Sequence, residues 1–198
     1  STGIPVYMPW LGKKAYDGIM AAYTAASRKN GKKYIPLIKN ATQLYVIEKG
    51  ALCGVVLDGS YNLTEANYKT SLQNMVDRVL ITDKDGNQIG VVEDTAAQQK
   101  YGVVQTVYKQ EDGKDAQTEA KALLQTLEQT GSVTGCPGDS RAVSGYALIV
   151  QETTTGLFGK FYIESDTHTF TDGKHEMALT LAFSNMMDEK EIENQSQG

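Results

Sequence analysis

The sequence predicts an α+β protein that is mainly β: a helix and a small β-meander, followed by an antiparallel β-barrel with one inserted helix. Three observations predict this class. Short apolar runs alternate with turns rich in Gly, Asp, Asn and Ser along most of the 198 residues. Asp-Gly pairs beginning at Asp85 and Asp172 stand between β-rich runs, which is typical of tight hairpins. Helical spacing of apolar residues is confined to a few segments.

The first predicted domain, residues 1–58, holds one helix and three strands. Gly31 stands where a left-handed C-cap would end a helix running from Lys13 to Lys29. Strands are expected in "KKYIPLI", "TQLYVIE" and "ALCGVVL", paired as a meander. The apolar face of the helix, at spacings of three and four, consists of Tyr16, Ile19, Met20, Tyr23 and Ala26.

The second predicted domain, residues 59–188, begins with the hairpin around Asp85-Gly86 in "NMVDRVLITDKDGNQIGVVED". The same letters resemble a calcium loop, because acidic or amide residues occupy its first, third and fifth positions. That reading fails on spacing, because Gln88 occupies the sixth position, where the loop needs Gly, and Asp94 the twelfth, where it needs Glu. Strands rather than helices also flank the loop.

Two helices are predicted after this hairpin, with strand "VVQTVYKQ" between them. The first is short, capped by Asp94 and closed at Gly102. The second begins at Asp115 in "DAQTEAKALLQTLEQ" and extends to about residue 128. We expect it to be the helix inserted in the barrel and to pack its leucines inward, namely Leu123, Leu124 and Leu127.

The last part of the second domain is predicted to be antiparallel sheet. Strands are expected in "AVSGYALIVQE", "GLFGKFYIES", "THTF" and "HEMALTLAFS", separated by "TTTG" and "TDGK". Residues 189–198 lack apolar periodicity and are predicted to be a flexible acidic tail.

Composition limits the partners of the protein. The net charge is −5, and no basic cluster is present to neutralise a phosphate backbone, so specific nucleic-acid binding is not expected. No apolar run approaches the roughly 20 residues that a transmembrane helix needs, so no membrane partner is expected. Cys53 and Cys136 have no C-x-x-C pattern and are predicted to be reduced.

Ser165, Asp166 and His168 lie within four positions in "GKFYIESDTHTF" and could form a hydrolytic site. Pairing this segment with "HEMALTLAF" through Asp172-Gly173 places His168 opposite Met177, on the face that carries the next strand's apolar residues. Phe161 has the opposite parity, so we infer a β-bulge near Ser165-Asp166. His168 is then expected to be largely buried and to make a structural hydrogen bond.

The predicted catalytic, cofactor-binding and metal residues are therefore none. In a regular strand, Ser165 and His168 would point to opposite faces. Neither "CPGDSRA" nor "AVSGYA" fits the G-x-S-x-G pattern of an activated serine. Asp166 and His168 could supply two metal ligands, but His175 is the only other histidine and no carboxylate cluster completes a coordination shell.

The order of several segments resembles the C-terminal half of the XkdQ/YqbQ family of prophage tail proteins. The resemblance covers most of residues 60–186 and extends more loosely to "GKKYIPLIKNATQLYVIEKG". Its strength lies in the order of many weakly specific positions. The segments are "NMVDRVLITDKDGN", "EDTAAQQKYGVVQTVY", "DAQTEAKALLQ", "GDSRAVSGYALIV" and "GLFGKFYIESDTHTFTDGKHEMALTLAF".

The resemblance implies a structural component of a contractile phage tail or phage-tail-like particle, a baseplate or tail hub linking the tail tube to the spike. It further implies a hub-type barrel, a homotrimer, tail tube and spike proteins as partners, and a place in the virion or tail particle after assembly in the bacterial cytoplasm. The histidine-bearing strand is structural in such hubs. The alternative is a cell-wall hydrolase or protease that uses Ser165 and His168. Because the chain opens at Ser1 without Met, we also expect a longer polypeptide with a preceding β-domain.

Overall fold

The computed structural model describes residues 2–7 and 14–191. This part of the chain folds into three helices and eleven strands. The helices are α1, Ala15–Asn30; α2, Thr95–Tyr101; and α3, Ala116–Ala122. The strands are β1, Tyr34–Lys39; β2, Gln43–Glu48; β3, Leu52–Asp58; β4, Glu65–Ser71; β5, Arg78–Thr82; β6, Gln88–Glu93; β7, Gln105–Lys109; β8, Glu128–Pro137; β9, Ala147–Glu152; β10, Leu157–Thr171; and β11, Lys174–Ala182.

The chain divides into two compact units. Unit 1 comprises the described residues of Ser1–Tyr68 and Thr130–Gly198. It contains the two-stranded hairpin β1-β2 and a six-stranded sheet in the order β3-β9-β10-β11-β8-β4. The long strands β10 and β11 lie at the centre of this sheet, and most of its buried core residues lie on strands, including Leu148, Ile163 and Leu181.

Unit 2, Lys69–Gln129, is a smaller α+β unit. Its three-stranded sheet has the order β6-β5-β7, and α3 packs against it. Val79 and Ile81 on β5 are buried against Ala120 of α3. β5 and β6 are antiparallel, whereas β5 and β7 are parallel.

The predicted antiparallel barrel is wrong. In the part of the chain that the structure describes, both sheets are open: β3 and β4 end the six-stranded sheet, and β6 and β7 end the three-stranded sheet. Closing a barrel requires the two edge strands of one sheet to pair with each other, and these edges do not. Two pairings are also parallel, β3 with β9 and β5 with β7.

The predicted meander of the first segment is also wrong. β1 and β2 pair as an antiparallel hairpin, but β3 joins the six-stranded sheet beside β9. Gly50 contributes to this change, because its N–H donates to the carbonyl of Gly145, which lies just before β9. This hydrogen bond directs the chain after β2 towards β9. With φ at 89° and the ring of Tyr162 close to where a Cβ would lie, only glycine fits there without strain.

Several local predictions are confirmed. α1 ends at Asn30, and Gly31 has φ 72° as its left-handed cap. α2 is capped by the side chain of Asp94, which accepts a hydrogen bond from the N–H of Ala97, and it ends at Gly102. The hairpin around Asp85-Gly86 forms between β5 and β6.

The buried face of α1 differs from the predicted apolar face. Tyr16 is exposed, whereas the polar side chains of Thr24 and Ser27 are buried. The reason is that residues after β11 return along the helix: the N–H of Lys190 donates to Oγ1 of Thr24 at 3.1 Å, and Glu189 pairs with Lys33. The remaining residues of the predicted tail, 192–198, lie outside the described residues.

The second long helix is shorter than predicted. α3 ends at Ala122, so only half of the segment up to residue 128 is helical. Leu123 is exposed rather than packed inward, and the helical residue that is fully buried is Ala120. Gln125 explains the end of the helix, because its N–H and its carbonyl both bond to the backbone of Val76 in an isolated bridge.

Candidate functional site

The β10-β11 hairpin brings together the residues that the sequence singles out. His168 lies opposite Met177 and Phe170 lies opposite His175, which is the predicted register. The pairing shifts between Ile163 and Ser165, which confirms the predicted bulge. One extra residue restores the core-facing parity of the strand beyond it, so the sheet can bury Ile163 and still direct His168 to the same face.

The structure places Ser165 and His168 on opposite faces of β10. Ser165 lies opposite Thr180, Asp166 opposite Leu179 and His168 opposite Met177, and successive residues in a strand alternate between faces. Asp166 and His168 therefore share the face that carries buried Leu179, and Ser165 lies on the other. The two residues of the alternative hydrolytic site are not brought together.

His168 has two hydrogen-bonding partners. Its Nε2 lies 3.1 Å from the carbonyl oxygen of Ala142, and its Nδ1 lies 2.8 Å from Nε2 of His175. The side chain is only 15 % exposed. Burial and a structural hydrogen bond are both confirmed for this histidine.

The partners determine where the hydrogens lie. A carbonyl oxygen can only accept, so Nε2 of His168 carries the hydrogen and donates it to Ala142. Nδ1 of a neutral His168 is then an acceptor, and the hydrogen between the two rings belongs to Nε2 of His175. The site is a chain of two directed hydrogen bonds that ends at the backbone of the loop at residues 138–146.

Asp166 attaches the same loop to the strand. Its Oδ1 accepts a hydrogen bond from the N–H of Ser144 at 2.6 Å, and its Oδ2 lies 3.6 Å from Nε2 of His168. Asp139 of the loop accepts hydrogen bonds from the guanidinium and the N–H of Arg141. These hydrogen bonds lower the pKa of Asp139 from 3.8 to about 2.

Two neighbours pack against the ring of His175. The ring of Phe170 stacks on it with centroids 4.1 Å apart and planes inclined by 16°. A Cβ at Gly138 would lie 2.1 Å from ring atoms of His175, so only glycine fits there without displacing the ring. The N–H of Gly138 also donates to the carbonyl of His175 at 2.7 Å. The loop therefore contacts both histidines.

Two clefts lie near these residues, one lined by the loop and the other by His175. One has a volume of about 590 Å³ and is lined by Cys53, Arg141, Ser144 and Tyr146 together with apolar residues of β1 and β3. The other, of about 410 Å³, is lined by Tyr61, Pro137, Lys174 and His175 among others. Neither cleft contains Ser165.

Candidate metal ligands are not clustered. Among residues 2–7 and 14–191, no group of three or more His, Cys, Asp or Glu side chains is arranged to hold a metal ion. Asp83 of the calcium-like loop instead accepts hydrogen bonds from the N–H groups of Asp85 and Asn87 and from the Asn87 amide. These bonds, led by that of the Asn87 side chain, lower the pKa of Asp83.

Both cysteines are free thiols, as predicted, and Cys136 is buried. Burial raises the pKa of the Cys136 thiol, which disfavours the nucleophilic thiolate. Over the described residues, no helix has the length and apolar character to cross a bilayer.

Sequence reasoning missed the contribution of the loop at residues 138–146. The segment "CPGDSRA" does not fit a serine motif, and its letters do not predict that it packs against the two histidines. Its sequence does carry one signal: Asp139 is followed two residues later by Arg141, which it binds, and is preceded by a glycine. Contact with His175 explains that glycine, but no spacing in the sequence indicates it.

Comparison with known proteins identifies the family. A family model described as YQBQ-like matches residues 3–182. The chain belongs to this family, and the resemblance to XkdQ/YqbQ prophage tail proteins is confirmed. Phage-like element PBSX protein XkdQ of Bacillus subtilis (strain 168) is 26 % identical over 195 residues, which cover 88 % of this chain and 56 % of XkdQ. The chain thus spans about half the length of this relative.

A solved structure shares the fold. It is the 43 kDa tail protein of prophage MuSo2 from Shewanella oneidensis, with a TM-score of 0.53 and 14 % identity. The alignment covers 79 % of this chain and 50 % of that protein. The likeness shows a common fold with a tail protein, and at this identity it extends to the fold alone.

Proposed function

We propose that this chain is a structural component of the baseplate or tail hub of a contractile phage tail or phage-tail-like particle, placed between the tail tube and the spike. The observation that carries the proposal is the match of the YQBQ-like family model to residues 3–182. XkdQ, which is named as part of a phage-like element, aligns over nearly the same extent. The proposed place of action is the tail particle.

The open sheet edges support assembly with other subunits. β3 is an edge strand of the six-stranded sheet and carries two exposed apolar side chains, Leu52 and Val56. Exposed apolar edge strands of soluble proteins tend to pair with another chain. A homotrimer would cover such edges on all three subunits in the same way.

The hairpin geometry supports a role without catalysis. The serine and histidine of the alternative hydrolase lie on opposite faces of β10, and both nitrogens of His168 are engaged by Ala142 and His175. A general base needs a nitrogen within hydrogen-bond reach of the nucleophile. The contacts of His168 instead hold a loop to a hairpin.

Analytical ultracentrifugation of the purified chain tests the assembly part of the proposal. We expect a trimer whose formation depends on β3, so Val56→Lys should shift the protein to monomers while its circular dichroism is unchanged. Thr167→Lys, which adds the same charge at an exposed position of central strand β10, is the matched control and should stay trimeric. A wild-type chain that is monomeric at all concentrations would contradict the trimer.

Co-expression with the tail tube and spike proteins of the same prophage tests the position in the tail. We expect a ternary complex that survives gel filtration. Binding to neither partner would contradict the link between tube and spike. Turnover of purified cell wall or casein that is abolished by both Ser165→Ala and His168→Ala would favour the hydrolase instead.

A further inference from the structure

The His168–His175 pair joins the β10-β11 hairpin to the loop at residues 138–146 through side-chain hydrogen bonds. His168 holds the loop at the carbonyl of Ala142, and His175 holds His168. Two further hydrogen bonds join the loop to the same hairpin. The N–H of Ser144 donates to Asp166, and the N–H of Gly138 donates to the carbonyl of His175. The proposed structural role in a tail does not use this arrangement, so the inference is independent of it.

The pair can accept one proton without losing a hydrogen bond. In the neutral pair, Nδ1 of His175 is the ring nitrogen that is not used in the contact with His168. A proton added there leaves Nε2–H of His175 donating to Nδ1 of His168, and a charged donor strengthens that bond. The loop stays attached in this singly protonated state.

A second proton cannot be accommodated in the same way. The remaining acceptor is Nδ1 of His168, which lies 2.8 Å from Nε2 of His175. Protonation there would place two N–H groups face to face and two positive rings with centroids 5.1 Å apart. Like charges at this distance repel each other, so the rings must separate. Because the loop contacts both rings, His168 through Ala142 and His175 through Gly138, their separation displaces the loop.

Charged groups from each neighbouring element lie near the pair. Asp166 of β10 lies beside His168, and Asp139 of the loop interacts electrostatically with His175 but is also bound to Arg141. Lys174 and Glu176 flank His175 on β11 and line the same cleft. Both signs of charge therefore lie near the pair.

We propose that the His168–His175 pair is a two-step, proton-controlled latch, which keeps the loop at residues 138–146 attached when it holds one extra proton and releases it when it holds two. The loop lines one of the clefts described above through Arg141 and Ser144, and His175 lines the other. Release would therefore change the shape of both clefts. The central strands would remain paired through their backbone.

NMR of the wild-type protein from pH 8 to pH 5, where imidazoles commonly take up protons, tests the latch directly. Nitrogen-15 shifts of the two rings should show two separate protonation steps, the first on Nδ1 of His175. Amide protection factors of Ala142 and Ser144 should be unchanged by the first step and fall about tenfold or more in the second, as expected for local opening. Val150 of β9 should keep its protection throughout.

His175→Gln is the matched variant. A glutamine amide can still donate to Nδ1 of His168, but it cannot carry a charge. We expect the loop of this variant to stay protected down to pH 5, although Asp166 is unchanged. Loss of protection at the same pH in the variant would overturn the proposal, because another group would then control the loop. Loss in the wild type during the first step, or no loss at all, would also overturn it.

Discussion

The two units bury their sheets in different ways. In unit 1, the buried core is formed by side chains of five strands and the loops between them, and it includes Leu57, Leu148, Leu157, Ile163 and Leu181. In unit 2, one short helix covers one face of three strands, and the fully buried apolar cluster is Val79, Ile81 and Ala120. The second core is much smaller.

Unit 2 also holds a buried polar residue beside its small core. Asp77 is 1 % exposed and accepts a hydrogen bond from the N–H of Val104 through Oδ1. Its own backbone bonds to Val104 and to the N–H of Asp94, so it connects β5, α2 and the segment before β7. Unit 1 is therefore built around a large apolar core, whereas unit 2 combines a small apolar core with the directed hydrogen bonds of Asp77.

Removing one large side chain from each core should have the largest effect. Leu181→Ala and Ile81→Ala should each lower the free energy of unfolding by about 2–5 kcal/mol, because the lost burial is accompanied by a cavity. Hydrogen exchange should show Leu181→Ala opening the six-stranded sheet and Ile81→Ala opening residues 69–129 alone. The controls Leu44→Ala and Ile89→Ala remove exposed side chains of the same type and should be nearly neutral. Opening of both units by Ile81→Ala would contradict their separate cores.

Asp77→Ala should have the next largest effect. It leaves the half-buried N–H of Val104 without its charged acceptor, which costs about 1–3 kcal/mol. Asp77→Asn keeps an oxygen at the position of Oδ1 and should recover most of this loss. Urea unfolding monitored by hydrogen exchange in residues 69–129 measures both variants. Equal stability of Asp77→Ala and the wild type would show that the contact contributes nothing to unit 2.

Gly138→Ala and Gly86→Ala compare a glycine of each unit. At Gly138 the new Cβ would overlap His175, so displacement of the ring should cost about 1–3 kcal/mol. At Gly86, with φ 90° and open space, the backbone conformation alone should cost about 1 kcal/mol. Thermal unfolding measures both, and only Gly138→Ala should change the imidazole resonances of His168. Unchanged His168 resonances would contradict the contact between loop and hairpin.

Acid should lower the stability of unit 1 by protonating two carboxylates. This is the smallest of the four predicted effects. The pKa of Asp139 is lowered from 3.8 to about 2, mainly by Arg141, and that of Glu152 from 4.5 to about 2, mainly by Thr155. A lowered folded-state pKa stabilises the fold above the ordinary value, and this stabilisation is lost as the pH falls towards about 2. Asp139→Asn with Glu152→Gln should flatten this pH dependence in urea titrations. An unchanged slope would exclude both groups.

Local signals in the sequence determined the elements whose ends are set by a few neighbouring residues. The end of α1 at Gly31, the cap of α2 at Asp94 and the hairpin at Asp172-Gly173 all depend on backbone conformations that particular residues favour. The register and bulge of β10-β11 were also predictable, because a one-residue slip would move every apolar side chain to the wrong face.

Strands without apolar alternation could not be predicted. β4 reads "EANYKTS" and β8 reads "EQTGSVTGCP", and these polar or glycine-containing segments have little β signal of their own. They are strands because β11 and its neighbours supply backbone partners. In the same way, the backbone of Gln125 bonds to Val76 and ends α3, although the leucines beyond Ala122 continue the helical spacing.

The candidate site also has features that the sequence predicts and features that only the tertiary structure decides. The sequence alone determined that His168 faces the core side beyond a bulge and that Ser165 lies on the other face, because both follow from the alternation of one hairpin. Only the tertiary structure decided that the rings of His168 and His175 bond to each other and hold the carbonyl of Ala142. The tertiary structure also decided that the sheets stay open. The pairing of edge strands depends on contacts between residues far apart in the chain, and no local sequence pattern encodes those contacts.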